Sequence, residues 1–235
     1  MPLSLDTLEC VAREVVACKR CPRLIAYCTQ VAKTKKKAYR DWDYWGKPVP
    51  GFGDPRARLL VIGLAPAAHG GNRTGRIFTG DRSGDYLFRA LYAAGFASQP
   101  VSRSRDDGLT LRDAYITAVN RCAPPGNRPT PEEILNCREY LERELNLLPD
   151  LRAVVALGRI AFDQYLTILR NRGIIESKAG FVFAHDREHV IARGQPVLIS
   201  SYHPSQQNTS TGLLTDEMLK AVFMRARRLI EKRND

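Results

Sequence analysis

Four short apolar runs, at 58–63, 114–119, 153–157 and 196–201, alternate with helical patterns at 84–95, 131–147, 158–171 and 212–232. That order predicts an α/β fold, a parallel sheet covered by helices on both faces. Leu87, Ala90, Leu91 and Ala94 form the inner stripe of the first of these helices, with Ser83 as its expected N-cap. Leu214, Met218, Val222, Ala226 and Ile230 do the same for the last. Upstream, LSLDTLECVAREVVAC has helical spacing and predicts a helix ending near Cys18. The stretch that follows, to about residue 55, holds two tryptophans and several Pro and Gly but no long periodic element, so it reads as an irregular basic lead-in. A hairpin-like insert, GFVFAHDREHVIARGQ, precedes the last strand. Without repeats or linkers, residues 1–235 are expected to form a single domain.

The polar loops at 64–82, 120–130 and 202–211 each follow a predicted strand, so their ends share one rim of the sheet and converge on one pocket. The first, GLAPAAHGGNRTGRIFTGD, lacks both GK[ST] and GxGxxG, which disfavours a nucleotide phosphate site. It offers Phe78 as a flat face for a ring and Asp81 as a carboxylate, although a core phenylalanine and a loop-capping aspartate fit the pattern too. Asn120, at a strand end, either presents one donor and one acceptor to a planar ligand or caps the strand. His203 follows a buried strand, and Pro204 holds it extended, so its imidazole should project from the rim. His185 and His189 are spaced for a metal only if helical, and the runs around them read as strand; His69 reads as solvated.

Thirty-six Lys and Arg against 25 Asp and Glu give a net charge of +11, with clusters at KTKKKAYR and RARRLIEKR. This suits either a polyanion partner or simply a well-solvated surface. No apolar stretch approaches the roughly 18 residues of a membrane span, so an intracellular protein is expected. Intracellular disulfides are uncommon, which makes ligation the leading use for some of the six cysteines. Cys18 and Cys21 form a CxxC, and Cys122 and Cys137 flank APPGNRPTPEEILN; thiolate-only ligation suits zinc and an iron-sulfur cluster alike. Cys10 and Cys28 read as ordinary residues, and Cys137 shares a helix face with Ile134, Leu141 and Leu145.

CKRC, GLAPAAHGGNRTGRIFTGDRSG, VNRCAPPGNRPTPEEILNC, ALG and HPSQQNTSTG, in this order over roughly residues 10–230, resemble the uracil-DNA glycosylase superfamily, specifically its iron-sulfur, family 5 or B-type, branch. The resemblance implies a three-layer α/β/α sandwich around a central four-stranded parallel sheet. It implies a 4Fe-4S cluster on Cys18, Cys21, Cys122 and Cys137. The implied activity is monofunctional: a damaged base is flipped from double-stranded DNA and its N-glycosidic bond hydrolysed, leaving an abasic site. Gly63, Leu64, Ala65, Phe78, Asn120 and His203 would bind the base, and Asp81 and His203 would be catalytic. Ser205 and Asn208, in the segment after His203, and Lys35, Lys36 and Lys37 would contact DNA. A cytoplasmic, DNA-associated prokaryotic monomer is expected.

Other branches carry Asp, Asn or Glu in the first motif, where this chain has only Leu64 and Ala65, so water activation would fall to Asp81. Ala67 is small where the most uracil-selective branch has a tyrosine, which predicts tolerance of hypoxanthine, mispaired thymine and modified pyrimidines. Two competing readings are an iron-sulfur or zinc DNA-binding module with weak or lost catalysis, and an enzyme acting on a small nucleotide.

Overall fold

The structure is a computed structural model that describes residues 6–231; residues 1–5 and 232–235, the ends of the expected domain and of its last helix, lie outside the described residues. Four fully parallel strands form its centre: β2 (Leu59–Gly63), β3 (Ala114–Ala118), β4 (Ala153–Leu157) and β6 (Val197–Ser201). Two short strands extend this sheet antiparallel at its edges, β1 (Phe52–Gly53) against β3 and β5 (Arg187–His189) against β6, giving the order β1-β3-β2-β4-β6-β5. The expected four-stranded parallel sheet is thus the core of a six-stranded mixed one. A two-residue strand has no readable alternation, whereas β5 falls inside the expected hairpin-like insert and pairs with β6.

Helices cover both faces, as a parallel sheet requires. Leu59 and Val61 point to the layer of α4 (Arg82–Ala93) and α8 (Asp216–Glu231), meeting Leu87, Leu91, Val222 and Phe223. Leu60 and Ile62 point the other way, toward α5 (Pro131–Asn146) and α6 (Arg159–Asn171), and pack with Leu141, Phe162 and Leu166. Each such side chain contributes roughly 1.5–3 kcal/mol by leaving water. Helix α1 (Leu8–Ala17) lies on α5, where Val11 and Val15 cluster with Cys137 and Tyr140.

The basic lead-in contains a helix that the sequence reading missed, α2 (Pro22–Thr34). Pro22 stands at its first turn, where a missing N–H costs nothing, and Leu24, Cys28 and Val31 bury one face. That i, i+4, i+7 spacing was the overlooked signal. The cap of α4 also differs from expectation: Asp81, not Ser83, is the N-cap, its Oδ1 accepting the Gly84 N–H at 2.9 Å. The expected final helix begins later than 212, as α8 from Asp216, and the loop expected at 202–211 contains a short helix of its own, α7 (Gln206–Ser210), with Gly212 between the two at φ +73°.

Candidate active site

The three loops at the carboxyl ends of the parallel strands enclose a cavity of about 390 Å³. This lies within the roughly 300–1,000 Å³ usual for small-ligand sites. Of the residues singled out from the sequence, Leu64, Ala65, Ala67, Phe78, Asp81, His203 and Ser205 line it. Arg82, Ser83, Asn127 and Gln206 line it as well and were not anticipated. Arg82 and Ser83 are there because Asp81 opens α4, so its first turn faces the cavity. Asn127 sits in a one-turn 3-10 segment (Pro125–Asn127) in the left-handed region at φ +58°, a state that asparagine tolerates better than most residues.

Three glycines shape the wall. Phe78 also has left-handed backbone, φ +51°, which for a bulky residue must be held by its surroundings. A Cβ on Gly63 would lie 2.7 Å from the Phe78 ring, and one on Gly84 only 1.9 Å from the Phe78 carbonyl oxygen. The ring therefore lies directly on the end of β2. A Cβ on Gly70 would lie 1.8 Å from Asp81 Oδ2, so only glycine lets that carboxylate occupy its place.

Asp81 joins none of the ion pairs among the described residues. Burial raises its pKa above the ordinary carboxylate value, opposed by the backbone N–H of Gly84. Burial lowers His203 to about 4, so its imidazole is neutral at physiological pH. The His203 carbonyl accepts Asn208 Nδ2 at 2.8 Å, and its ring tilts 33° to that of Phe78 with centroids 5.7 Å apart. The Asn208 amide is thereby engaged within the protein as a brace for His203.

Asn120 is fully buried and does not line the cavity; its backbone N–H bonds to the carbonyl of Leu64, which does. Its Nδ2 donates to the Glu133 carbonyl at 3.0 Å, while Oδ1 has no partner. The strand-end role and an open acceptor coexist, and the Glu133 carbonyl fixes which way the amide faces. Gly63 too lies outside the lining and acts as the floor under Phe78.

The lead-in packs onto the glycine loop. The Arg73 guanidinium lies between the rings of Tyr39 and Trp42, 3.9 and 4.2 Å from their centroids, and Trp45 and Gly46 donate to the carbonyls of Arg73 and Asn72. His69 is not simply solvated, because its Nδ1 pairs with the Tyr44 hydroxyl at 2.9 Å. Lys36 and Lys37 are exposed, whereas Lys35 Nζ folds onto the Arg40 carbonyl at 3.2 Å.

Cys18 ends α1, Cys21 precedes α2, Cys122 follows β3 and Cys137 lies on the buried face of α5. The four thiols lie within electrostatic reach of one another. Burial raises Cys21 and Cys137; Cys122 is raised first by its hydrogen bond with Cys28 and then by burial. Among the described residues, no three His, Cys, Asp or Glu side chains are close enough to hold a single metal ion. Tetrahedral zinc, about 2.3 Å from each sulfur, would need the sulfurs roughly 3.8 Å apart. The donor set the four cysteines would offer is thiolate only, the chemistry of zinc sites and of iron-sulfur clusters alike. Arg121, beside them, keeps Nε and Nη1 buried without partners, and Asn136 Nδ2 donates to Cys21 Sγ at 3.7 Å.

Comparison with known proteins matches the family model of the uracil DNA glycosylase superfamily to residues 50–227. The chain is 49% identical over 221 residues, 94% of its length and 97% of the relative's, to a type-5 uracil-DNA glycosylase of Thermus thermophilus. It is 50% identical over 212 residues, 90% and 88% of the two lengths, to a type-5 enzyme of Pyrobaculum aerophilum. A type-4 uracil-DNA glycosylase of Archaeoglobus fulgidus is 31% identical over 178 residues, 72% of each chain.

Proposed function

The chain belongs to the uracil DNA glycosylase superfamily, and from that premise we propose that it hydrolyses the N-glycosidic bond of uracil in double-stranded DNA. The observation that carries this reading is the cavity itself, where an aromatic face, an unpaired carboxylate and a neutral imidazole meet. A base inside a duplex cannot reach such a cavity, so the nucleotide is flipped out at a cost of a few kcal/mol. The Phe78 ring stacks on it, for roughly 1–3 kcal/mol. Asn120 Oδ1, an open acceptor behind the cavity lining, would take N3–H of a uracil that reaches it, and because the Glu133 carbonyl orients the amide, cytosine, which presents an acceptor there, would be disfavoured.

As the bond breaks, negative charge grows on the departing base and positive charge on the sugar. A neutral His203 can donate an N–H to the base oxygen without first losing a proton, as an oxyanion-hole donor does. In its ionised form Asp81 would offset the sugar cation and orient water, by analogy with the carboxylates of glycosidases. Leu64, Ala65 and Ala67 leave that side of the cavity apolar and roomy, which favours a broader base range: hypoxanthine, mispaired thymine and modified pyrimidines. Ser205 at the cavity lip and Lys36 and Lys37 on the lead-in would face the DNA backbone.

Cys18, Cys21, Cys122 and Cys137 would hold a 4Fe-4S cluster. When bound it supplies four covalent ties joining α1, α2, the loop after β3 and α5. The protein would work as a monomer in a prokaryotic cytoplasm, and among the described residues no helix is long and apolar enough to cross a membrane.

Duplexes carrying G:U, A:U, G:T or G:hypoxanthine, incubated with the protein and then treated with alkali, test the activity. Strand scission at uracil is expected. Salt-sensitive binding with no abasic site in any duplex would instead establish a non-catalytic DNA-binding module, and release of base only from free nucleosides would indicate a small-nucleotide enzyme. Broad absorbance near 400 nm with iron and sulfide tests the cluster; colourless protein with stoichiometric zinc would refute it.

A further inference from the structure

Arg121 is the largest fully buried side chain among the described residues, 1% exposed, and it directly precedes Cys122. Its Nη2 donates to Glu144 Oε2 at 2.6 Å. A buried Arg–carboxylate pair usually uses both prongs of the fork. Here it does not, because Glu144 is shared: Thr117 Oγ1 donates to Oε2 at 2.6 Å, and the Tyr115 hydroxyl donates to Oε1 at 3.4 Å. Nε and Nη1 are left with no acceptor, and such buried donors cost roughly 1–3 kcal/mol each if they stay unpaired.

Among the ionisable groups that act on the guanidinium are Glu144, the Cys137 thiol and Tyr115. Of these three, Glu144 is already engaged and the Tyr115 hydroxyl donates, which leaves the Cys137 sulfur as the one with an acceptor still open. The Arg121 backbone N–H already donates to Cys137. Glu144 lies seven residues after Cys137 on the buried face of α5, which fixes the guanidinium at that corner.

Resting on the reading that the four cysteines hold a cluster, we propose that Arg121 is a positioning residue for it. Its free Nε and Nη1 hydrogens donate to sulfur at the Cys137 corner. A cubic cluster with four thiolates is anionic, and hydrogen bonds and buried positive charge beside such sulfurs retain the metal and raise its reduction potential. Glu144 in turn is the group that aims Arg121, through the hydroxyls of Thr117 and Tyr115 that hold its carboxylate.

The test uses the full-length protein purified anaerobically. Replacing Arg121→Met together with Glu144→Gln removes both charges, so neither is left buried alone. Circular dichroism establishes that the variant folds. Two readouts follow: the rate of iron loss to a ferrous chelator, and the midpoint potential in a dithionite titration followed at 400 nm. We expect iron loss at least tenfold faster and a reduction equilibrium about tenfold less favourable, ~59 mV for one electron. Arg121→Lys, which keeps the charge but loses the planar donors, should shift both readouts in the same direction by less, and it decides the matter if the double variant does not fold. Folded, iron-loaded variants that match the wild type in both readouts overturn the inference alone. A wild-type protein free of iron and sulfide overturns the cluster reading, and this inference with it.

Discussion

The Phe78 and His203 rings stand 5.7 Å apart with a 33° tilt, although their residues come from loops more than a hundred positions apart in the chain. One ring offers a stacking face, and the other is held neutral by burial. If His203 acts as a donor to the departing base, His203→Ala should lower single-turnover cleavage of a G:U duplex about 10²–10³-fold. Affinity for the same DNA, read by fluorescence anisotropy, should change by less than a few-fold. An equal loss in both would mean that His203 merely binds.

Asp81 carries the opposite balance. Its folded pKa lies above the ordinary value, so the folded state holds this proton more tightly than the unfolded chain. Its contribution to stability is present below the unfolded pKa and is lost as pH rises through the folded one. At neutral pH Asp81→Asn should therefore raise the melting temperature, with the retained cap to Gly84 limiting any loss, while cleavage falls at least 100-fold. A less stable Asp81→Asn protein would contradict the burial argument.

For His203 the sign reverses. Between pH 6.5 and about 4 the unfolded chain binds the proton and the folded chain does not, so stability drops as pH falls through this window. His203→Gln should flatten that part of the stability profile in denaturant titrations. Because the imidazole stays neutral down to about pH 4, any acid limb in kcat/KM above that pH belongs to Asp81 and should vanish from the residual activity of Asp81→Asn.

Gly70→Ala tests the geometry without touching a reacting group. The new methyl would sit 1.8 Å from Asp81 Oδ2 and must displace it. Cleavage should fall nearly as far as in Asp81→Asn, with little change in DNA affinity. Gly180→Ala, where a Cβ meets nothing within 4 Å, serves as the control and should be active.

Neutralising Lys36 and Lys37 together should weaken binding to all duplexes alike. The slope of log affinity against log salt should become shallower by about 0.9 for each phosphate that a lysine no longer neutralises. A slope unchanged within error would place the DNA elsewhere.

The sheet core was legible because a strand buried on both faces reads as a near-continuous apolar run, as LLVIG and AVVAL do and AYITA does but for Thr117. Edge strand β1 was not, since two residues leave no period to read, and β5 was legible only as part of a hairpin-like insert. Helix α2 was hidden because its buried stripe is only Leu24, Cys28 and Val31 within a lead-in rich in Pro, Gly and basic residues, and Asp81, read as either a cap or a reagent, is the cap of α4 and also lines the cavity. Phe78, Asp81 and His203 could be placed on one rim from strand order alone. Arg82 and Asn127 could not: the first depends on where α4 begins, the second on a left-handed turn that has no hydrophobic signature. Asn120 shows the limit of residue type as a guide, because its amide serves the scaffold with one atom and leaves the other open.

The absence of a side chain at Gly63, Gly70 and Gly84 has a consequence for how this protein can change. A methyl group is the smallest step that mutation can add, and at these positions it collides with Phe78 or Asp81. The reacting wall is therefore cast against three blanks, and a library that diversifies this loop to alter base preference should hold those codons fixed. The apolar side at Leu64, Ala65 and Ala67 carries no such restriction and is where new selectivity can be written.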